Sequence, residues 1–120
     1  MKVLIVEDEK EVSTLVRELV ETSSGAEVTV VDNGLDGFLA CQKTKYNLII
    51  TDHEMPFMKG AAMVIAIRTK ENLNQGTSII MLSAYINKDM RDQLGLTNME
   101  FVDKPFNNSD LLKVISPYLI

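Results

Sequence analysis

Leu48-Ile49-Ile50-Thr51-Asp52-His53-Glu54-Met55-Pro56-Phe57-Met58-Lys59-Gly60 is the stretch on which the fold turns. Its first three residues are an apolar run with no polar break, as in a strand covered on both faces. The run ends at a carboxylate, and Pro56 and Gly60 then mark a loop before the next periodic segment. The same plan recurs along the chain. Val3-Leu4-Ile5-Val6 leads into Glu7-Asp8-Glu9, and Ile79-Ile80-Met81-Leu82 into Ser83-Ala84. A weaker run, Phe101-Val102, leads into Asp103-Lys104-Pro105, and Val28-Thr29-Val30-Val31 supplies a further strand.

Segments of helical period separate these runs. Val12, Leu15, Val16, Leu19 and Val20 recur at i, i+3, i+4, i+7 and i+8, and Ser23-Ser24-Gly25 stops that helix. Asp32-Asn33-Gly34 is turn and cap chemistry before a second helix over 34–42, with Leu35, Phe38 and Leu39 expected to face inward. A third follows Gly60 through Met63, Val64 and Ile67. A fourth spans about 87–94 and stops near Gly95. A fifth follows Pro105, capped by Asn107, Asn108 or Ser109, and Pro117 should end or kink it. Strands alternating with helices predict a three-layer, doubly wound α/β fold around a five-stranded parallel sheet with right-handed crossovers. Ligand sites in such folds lie at the carboxyl ends of the strands, at the switch point of the topology.

Composition bounds the function classes. The chain has 120 residues, 46% hydrophobic and 24% charged, and reads as one domain over 1–120. Twelve basic residues against 17 acidic ones leave a net charge of −5, which argues against nucleic acid as a direct partner. One cysteine makes no internal disulfide, and no apolar run approaches a membrane span. The apolar start is cut short by Glu7-Asp8-Glu9, unlike a signal peptide. The expected address is the cytoplasm.

The fold therefore brings two or three carboxylates, a hydroxyl and a lysine to one rim. Clustered carboxylates repel unless a cation sits among them. Oxygen donors without a His or Cys cluster suit Mg²⁺ rather than Zn²⁺, and Mg²⁺ leaves coordination positions free for a phosphoryl group. With Lys104 and Ser83 available to phosphoryl oxygens, the parts suit phosphoryl transfer to a carboxylate nucleophile.

In these residues the whole chain resembles a response-regulator receiver domain of two-component signalling, of the chemotaxis-regulator type. Glu7-Asp8, Asp52, Met55-Pro56-Phe57-Met58-Lys59-Gly60, Ser83-Ala84 and Lys104-Pro105-Phe106 carry the resemblance, in order and at strand ends. It implies a flavodoxin-like sheet of strand order 2-1-3-4-5. It makes Asp52 the phosphoacceptor. Glu7, Asp8, Asp52 and the backbone carbonyl of Glu54 become the Mg²⁺ ligands, with Glu7 acting directly or through water. Lys104 would contact the phosphoryl group, Ser83 would be the switch hydroxyl and Phe101 the switch aromatic. The Lys104–Pro105 peptide would be cis. Glu54 and Tyr85 would flank the path of the attacking water and tune dephosphorylation. The donor would be a sensor histidine kinase or a histidine phosphotransfer protein. A downstream partner, or a second copy, would bind the face of helix four, strand five and helix five. Such a domain catalyses only its own phosphorylation and dephosphorylation.

The chain departs from the family pattern in an almost wholly apolar stretch over 61–67, in the segment 95–100 and at Pro117. Competing readings fare worse. A flavodoxin would need a glycine- and hydroxyl-rich phosphate loop where Glu7-Asp8-Glu9 stands. A haloacid-dehalogenase-type phosphatase would want Asp-x-Asp where Asp52-His53-Glu54 stands, and more chain. A phosphorylation-independent binding module would be expected to lack the acceptor, the acidic pair or the lysine. Glu9 and Glu11 read as helix-start charges and His53 as a lone histidine without metal partners. Cys41 and the methionines read as core filler. Ile65 is evenly balanced between an exposed patch and a packed position.

Overall fold

In a computed structural model of the chain, which describes residues 1–84, 87–94 and 98–120, strands and helices alternate throughout. The strands are β1 (Lys2–Val6), β2 (Glu27–Val31), β3 (Leu48–Asp52), β4 (Ser78–Ser83) and β5 (Met99–Asp103). The helices are α1 (Lys10–Ser24), α2 (Gly34–Lys43), α3 (Gly60–Thr69), α4 (Lys88–Leu94) and α5 (Asn108–Ile115), followed by a 3₁₀ turn at Ser116–Tyr118. The sheet is parallel, in the order β2-β1-β3-β4-β5. The expected fold and strand order are both present.

Strand position explains strand composition. Central β3 is buried at every residue, whereas edge strand β2 has no fully buried residue. Because strand side chains alternate, the sheet has two apolar faces. Val3, Ile5, Leu48, Ile50, Ile80 and Leu82 face one side and pack with Val16 and Val20 of α1 and Leu111 and Ile115 of α5. Leu4, Val6, Ile49, Ile79 and Met81 face the other and pack with Cys41 of α2, Met63 and Ile67 of α3 and Leu94 of α4.

The helix ends follow the expected chemistry. α1 stops at Gly25, whose φ of +68° is the left-handed conformation that favours glycine, and the Gly25 N–H bonds the Glu21 carbonyl. The Asn107 side chain caps α5 by accepting the Asp110 N–H, and Pro117 tightens its end into the 3₁₀ turn. α4 starts one residue later than expected, and its stop at Gly95 lies outside the described residues.

The inward face of α2 differs from expectation. Leu35 and Leu39 are 42% and 46% exposed, and Phe38 is only half-buried. Gly34, Gly37 and Cys41 face inward instead. A Cβ on Gly37 would lie 2.7 Å from Met63 Sδ, and one on Gly34 would lie 2.0 Å from the Met58 carbonyl oxygen. The helix packs so closely through its glycines that its leucines are displaced outward. Cys41 is core filler as expected, and burial pushes its thiol up to about 12. Ile65 is exposed.

A polar knot that the sequence did not announce holds the opposite end of the sheet. The buried Asn74 amide donates to the Cys41 and Thr44 carbonyls, while its oxygen accepts from the Tyr46 N–H and Thr77 Oγ1. This fixes the entries to β3 and β4 and leaves the carboxyl ends to carry chemistry.

Candidate functional site

β1 and β3 are neighbours, with Val6 in register with Thr51. The next residue on each chain is a carboxylate, so Glu7 and Asp52 meet at the rim. Both are nearly closed to solvent, at 3% and 4% exposure. Asp8 and Glu9 stand beside them, exposed, where the chain turns into α1. One carboxylate oxygen from each of Glu7, Asp8, Glu9 and Asp52 lies within 4.8 Å of all the others. The donors are all oxygen, which fits a hard divalent cation such as Mg²⁺.

Lys104 enters from the end of β5. Its Nζ lies 3.2 Å from Glu7 Oε1, 3.3 Å from Asp52 Oδ1 and 4.0 Å from Glu9 Oε1. Asp52 Oδ1 also accepts the His53 N–H at 2.7 Å. One ammonium does not neutralise this many carboxylates. Burial first, and repulsion from Asp52 second, push Glu7 up to about 7 in spite of Lys104 and the Glu9 N–H. For Lys104 burial works the other way, yet Glu7 and Asp52 outweigh it and raise its pKa.

The loop after β3 explains its own sequence. The Gly60 N–H bonds the His53 carbonyl at 2.9 Å, and a Cβ on Gly60 would fall 2.1 Å from the Asp52 carbonyl oxygen. Only glycine allows α3 to start so close to the acidic residue. His53 is buried, and its Nδ1 accepts the Ala61 N–H at 3.2 Å, satisfying one free donor at the start of α3. Between them the Met58 N–H bonds the Pro56 carbonyl around Phe57, which has φ +66° and is 86% exposed. The Glu54 carboxylate points outward, 3.5 Å from Lys59 Nζ and 3.6 Å from His53 Nε2.

Ser83 ends β4 and is buried, one residue beyond Leu82, the partner of Asp52 in the register. It pairs with Asp103 across β4 and β5, and its carbonyl accepts the Lys104 N–H at 2.9 Å. The Lys104–Pro105 peptide is cis, as the resemblance implied. A cavity of about 530 Å³ adjoins Glu7 and Asp8 between α1 and the start of α2, lined further by Lys10, Ser13, Arg17 and Asp32. On the Lys104 side, a mostly apolar cavity of about 410 Å³ lies between α1 and the loop after β5, lined by Val12, Leu15, Ala84, Pro105 and Phe106.

Glu7, Asp8, Asp52 and Lys104 are thus gathered at one place, with Ser83 on the adjoining strand end. Glu54 contributes no carboxylate to the cluster. Tyr85 lies outside the described residues. Glu9 stands at the start of α1, as its reading as a helix-start charge expects, and its carboxylate also reaches the cluster. It precedes the first residue of α1 and makes no side-chain capping bond there, so its carboxylate is available to the rim.

A family model, the response regulator receiver domain, matches residues 3–116. The chain belongs to the response regulator receiver domain family. It is 34% identical over 113 residues to the transcriptional regulatory protein CusR of Escherichia coli K12, covering 93% of this chain and 48% of CusR. The solved chemotaxis response regulator CheY4 of Vibrio cholerae superposes with a TM-score of 0.84 at 30% identity, covering 98% of each chain. The receiver domain of the sensor histidine kinase PA1611 of Pseudomonas aeruginosa shares the fold (TM-score 0.82, 24% identity, 98% of this chain and 96% of that one) and holds a magnesium ion in its own active-site cleft. The chain spans less than half of the curated relatives it matches, from 4% of a Dictyostelium discoideum hybrid signal transduction histidine kinase to 48% of CusR. Receiver domains are phosphoacceptor signalling domains of two-component systems, and the acidic pocket with Asp52 beside Glu7 and Asp8 fits Mg²⁺-dependent phosphoacceptor function. No helix among the described residues is long and apolar enough to cross a membrane.

Proposed function

We propose that this receiver domain, spanning 1–120, takes a phosphoryl group onto Asp52 from a phosphohistidine of a sensor histidine kinase or histidine phosphotransfer protein. The observation that carries the reading is the placement of Asp52: buried, 3.3 Å from the Lys104 ammonium and within an all-oxygen cluster. An Asp52 carboxylate oxygen attacks phosphorus, the nitrogen–phosphorus bond breaks, and the imidazole leaves and is protonated. Asp8, Asp52 and the Glu54 main-chain carbonyl would hold Mg²⁺, with Glu7 acting directly or through water. The metal supplies charge neutralisation for the transferring group. Lys104 supplies the protein's own positive charge at the same point. Water reverses the modification by attack at phosphorus, which releases inorganic phosphate and restores the Asp52 carboxylate.

Ser83 then moves toward the phosphoryl oxygens and Phe101 turns inward beneath α4, remodelling the face of α4, β5 and α5 for a downstream partner or a second copy. The apolar cavity beside Lys104 offers the phosphodonor a contact surface next to the acceptor. The net charge of −5 supports a protein partner rather than nucleic acid, and the composition fits a cytoplasmic address. The Asp-x-Asp phosphatase reading loses support because Glu54, the candidate second acid, turns toward Lys59. The test is intact-mass measurement after incubation with a small phosphodonor and Mg²⁺. One phosphoryl group on the wild type and none on Asp52→Asn is the expected result, and equal labelling of both overturns the assignment.

A further inference from the structure

The Phe101 ring is covered on its outer side by the Arg91 side chain. Phe101 lies half-buried on β5, packed, as Met90 of α4 is, against the apolar layer of that side of the sheet. The Arg91 guanidinium of α4 sits 5.1 Å over its ring centroid. The same guanidinium donates to Asp103 Oδ1 at 2.7 Å. Phe101 and Asp103 are two residues apart on β5, so they share one face of the strand. Asp103 is the cross-strand partner of Ser83, and the next residue, Lys104, bonds the Ser83 carbonyl. Arg91 therefore joins α4 both to the aromatic ring and to the strand position that registers with Ser83.

We propose that Arg91 is the latch of the conformational switch: by stacking on Phe101 and pairing with Asp103 it holds α4 against β5 and opposes the rearrangement that phosphorylation drives. This rests on the phosphoacceptor reading of Asp52. The latch is closed while the Asp52 carboxylate is engaged by Lys104 and the His53 N–H. Drawing Ser83 toward a group on Asp52 shifts the end of β4 relative to β5 and α4. A ring that turns inward leaves the guanidinium, and a displaced α4 cannot keep both interactions. An exposed cation–ring stack and an exposed ion pair are each modest, so the latch tunes the switch rather than locking it. Linkage then requires that whatever opposes the rearrangement also weakens the ligand that promotes it.

The test is the affinity of the full chain for beryllofluoride, a phosphoryl mimic, at saturating Mg²⁺, in wild type, Arg91→Ala, Asp103→Asn and the double variant. Arg91→Ala should bind about three- to tenfold more tightly, the range set by one exposed cation–ring stack and one exposed ion pair. Loss of a cation by its field alone would weaken binding of an anion, so tighter binding isolates the latch from simple electrostatics. Adding Asp103→Asn to Arg91→Ala should yield less than the two single changes combined, since both break one ion pair. Arg91→Lys, which keeps the charge but loses the planar stack, should fall between wild type and Arg91→Ala. Unchanged or weaker binding by Arg91→Ala, with tight binding by the wild type, overturns the latch alone. Absence of beryllofluoride binding by the wild type overturns the acceptor reading and the latch with it.

Discussion

Lys104 Nζ bridges to Asp52 Oδ1 at 3.3 Å from the far side of the sheet, from the end of β5 across β4 to the end of β3. The lysine also holds Glu7 Oε1 at 3.2 Å, so one ammonium ties two buried carboxylates. Removing it leaves both uncompensated. Lys104→Ala should lose about 1–3 kcal/mol of stability without Mg²⁺, less than a fully buried pair would, because the rim is open on one side. Denaturant unfolding with and without Mg²⁺ measures this, and Mg²⁺ should restore part of the loss. A variant as stable as the wild type would show that the bridge carries no weight.

Glu7 gives the site a pH signature. Burial, with Asp52 repulsion second, raises its pKa from 4.5 to about 7, so the folded protein binds that proton more tightly than the unfolded chain does. The stabilisation is complete below about pH 4.5 and is lost as the pH rises through about 7. Without Mg²⁺, thermal stability should therefore decline between pH 5 and pH 7, and Glu7→Gln should flatten the decline. Lys104, also raised, adds no slope there, because its window lies above its ordinary value of 10.5. An equally steep decline in Glu7→Gln would assign the slope to other groups.

Mg²⁺ should stabilise the protein by relieving the same repulsion. At a hundredfold excess over its dissociation constant the gain is about 2.7 kcal/mol, a rise of several degrees in melting temperature. Asp8→Asn removes one of the proposed ligands while leaving Glu7, Asp52 and Lys104 in place, and it should blunt the response strongly. A melting temperature unchanged across a Mg²⁺ titration in both proteins would count against a metal site here.

Gly60 links the fold to the site. A Cβ there would fall 2.1 Å from the Asp52 carbonyl oxygen and 2.9 Å from His53 Cα, both main-chain atoms with little freedom to yield. Gly60→Ala should cost about 1–3 kcal/mol as an overpacked position and weaken Mg²⁺ binding by displacing Asp52. Chemical denaturation reads the first effect and the Mg²⁺-dependent shift in melting temperature the second. Wild-type values for both would mean that the loop relaxes freely.

The strands and the rim were legible because burial on both faces writes long apolar runs, and a strand end followed by Glu7-Asp8, Asp52 or Lys104 is a local signal. The inner face of α2 was not. Periodicity scores Leu35 and Leu39 as core, but the close approach of Gly34 and Gly37 to Met58, Met63 and Val6 decides which side turns inward, and that packing is tertiary. The reach of Glu9 to the rim was hidden for a similar reason. Its charge suits a helix start, and only the three-dimensional turn shows its oxygen among those of Glu7, Asp8 and Asp52. The Asn74 knot joins residues about thirty positions apart, and nothing in a single polar residue announces such partners. The part of His53 in satisfying the start of α3 depends on a ring position that no sequence pattern states.

The central claim is that Asp52 itself carries the phosphoryl group. Borohydride reduction after treatment with a small phosphodonor and Mg²⁺ converts an acyl phosphate, and no free carboxylate, to an alcohol. Peptide mass analysis of the reduced protein should find that change at Asp52, and only when both phosphodonor and Mg²⁺ were present. Reduction at Glu7 or Asp8 instead, or an unmodified Asp52 in a protein whose intact mass shows a phosphoryl group, would contradict it.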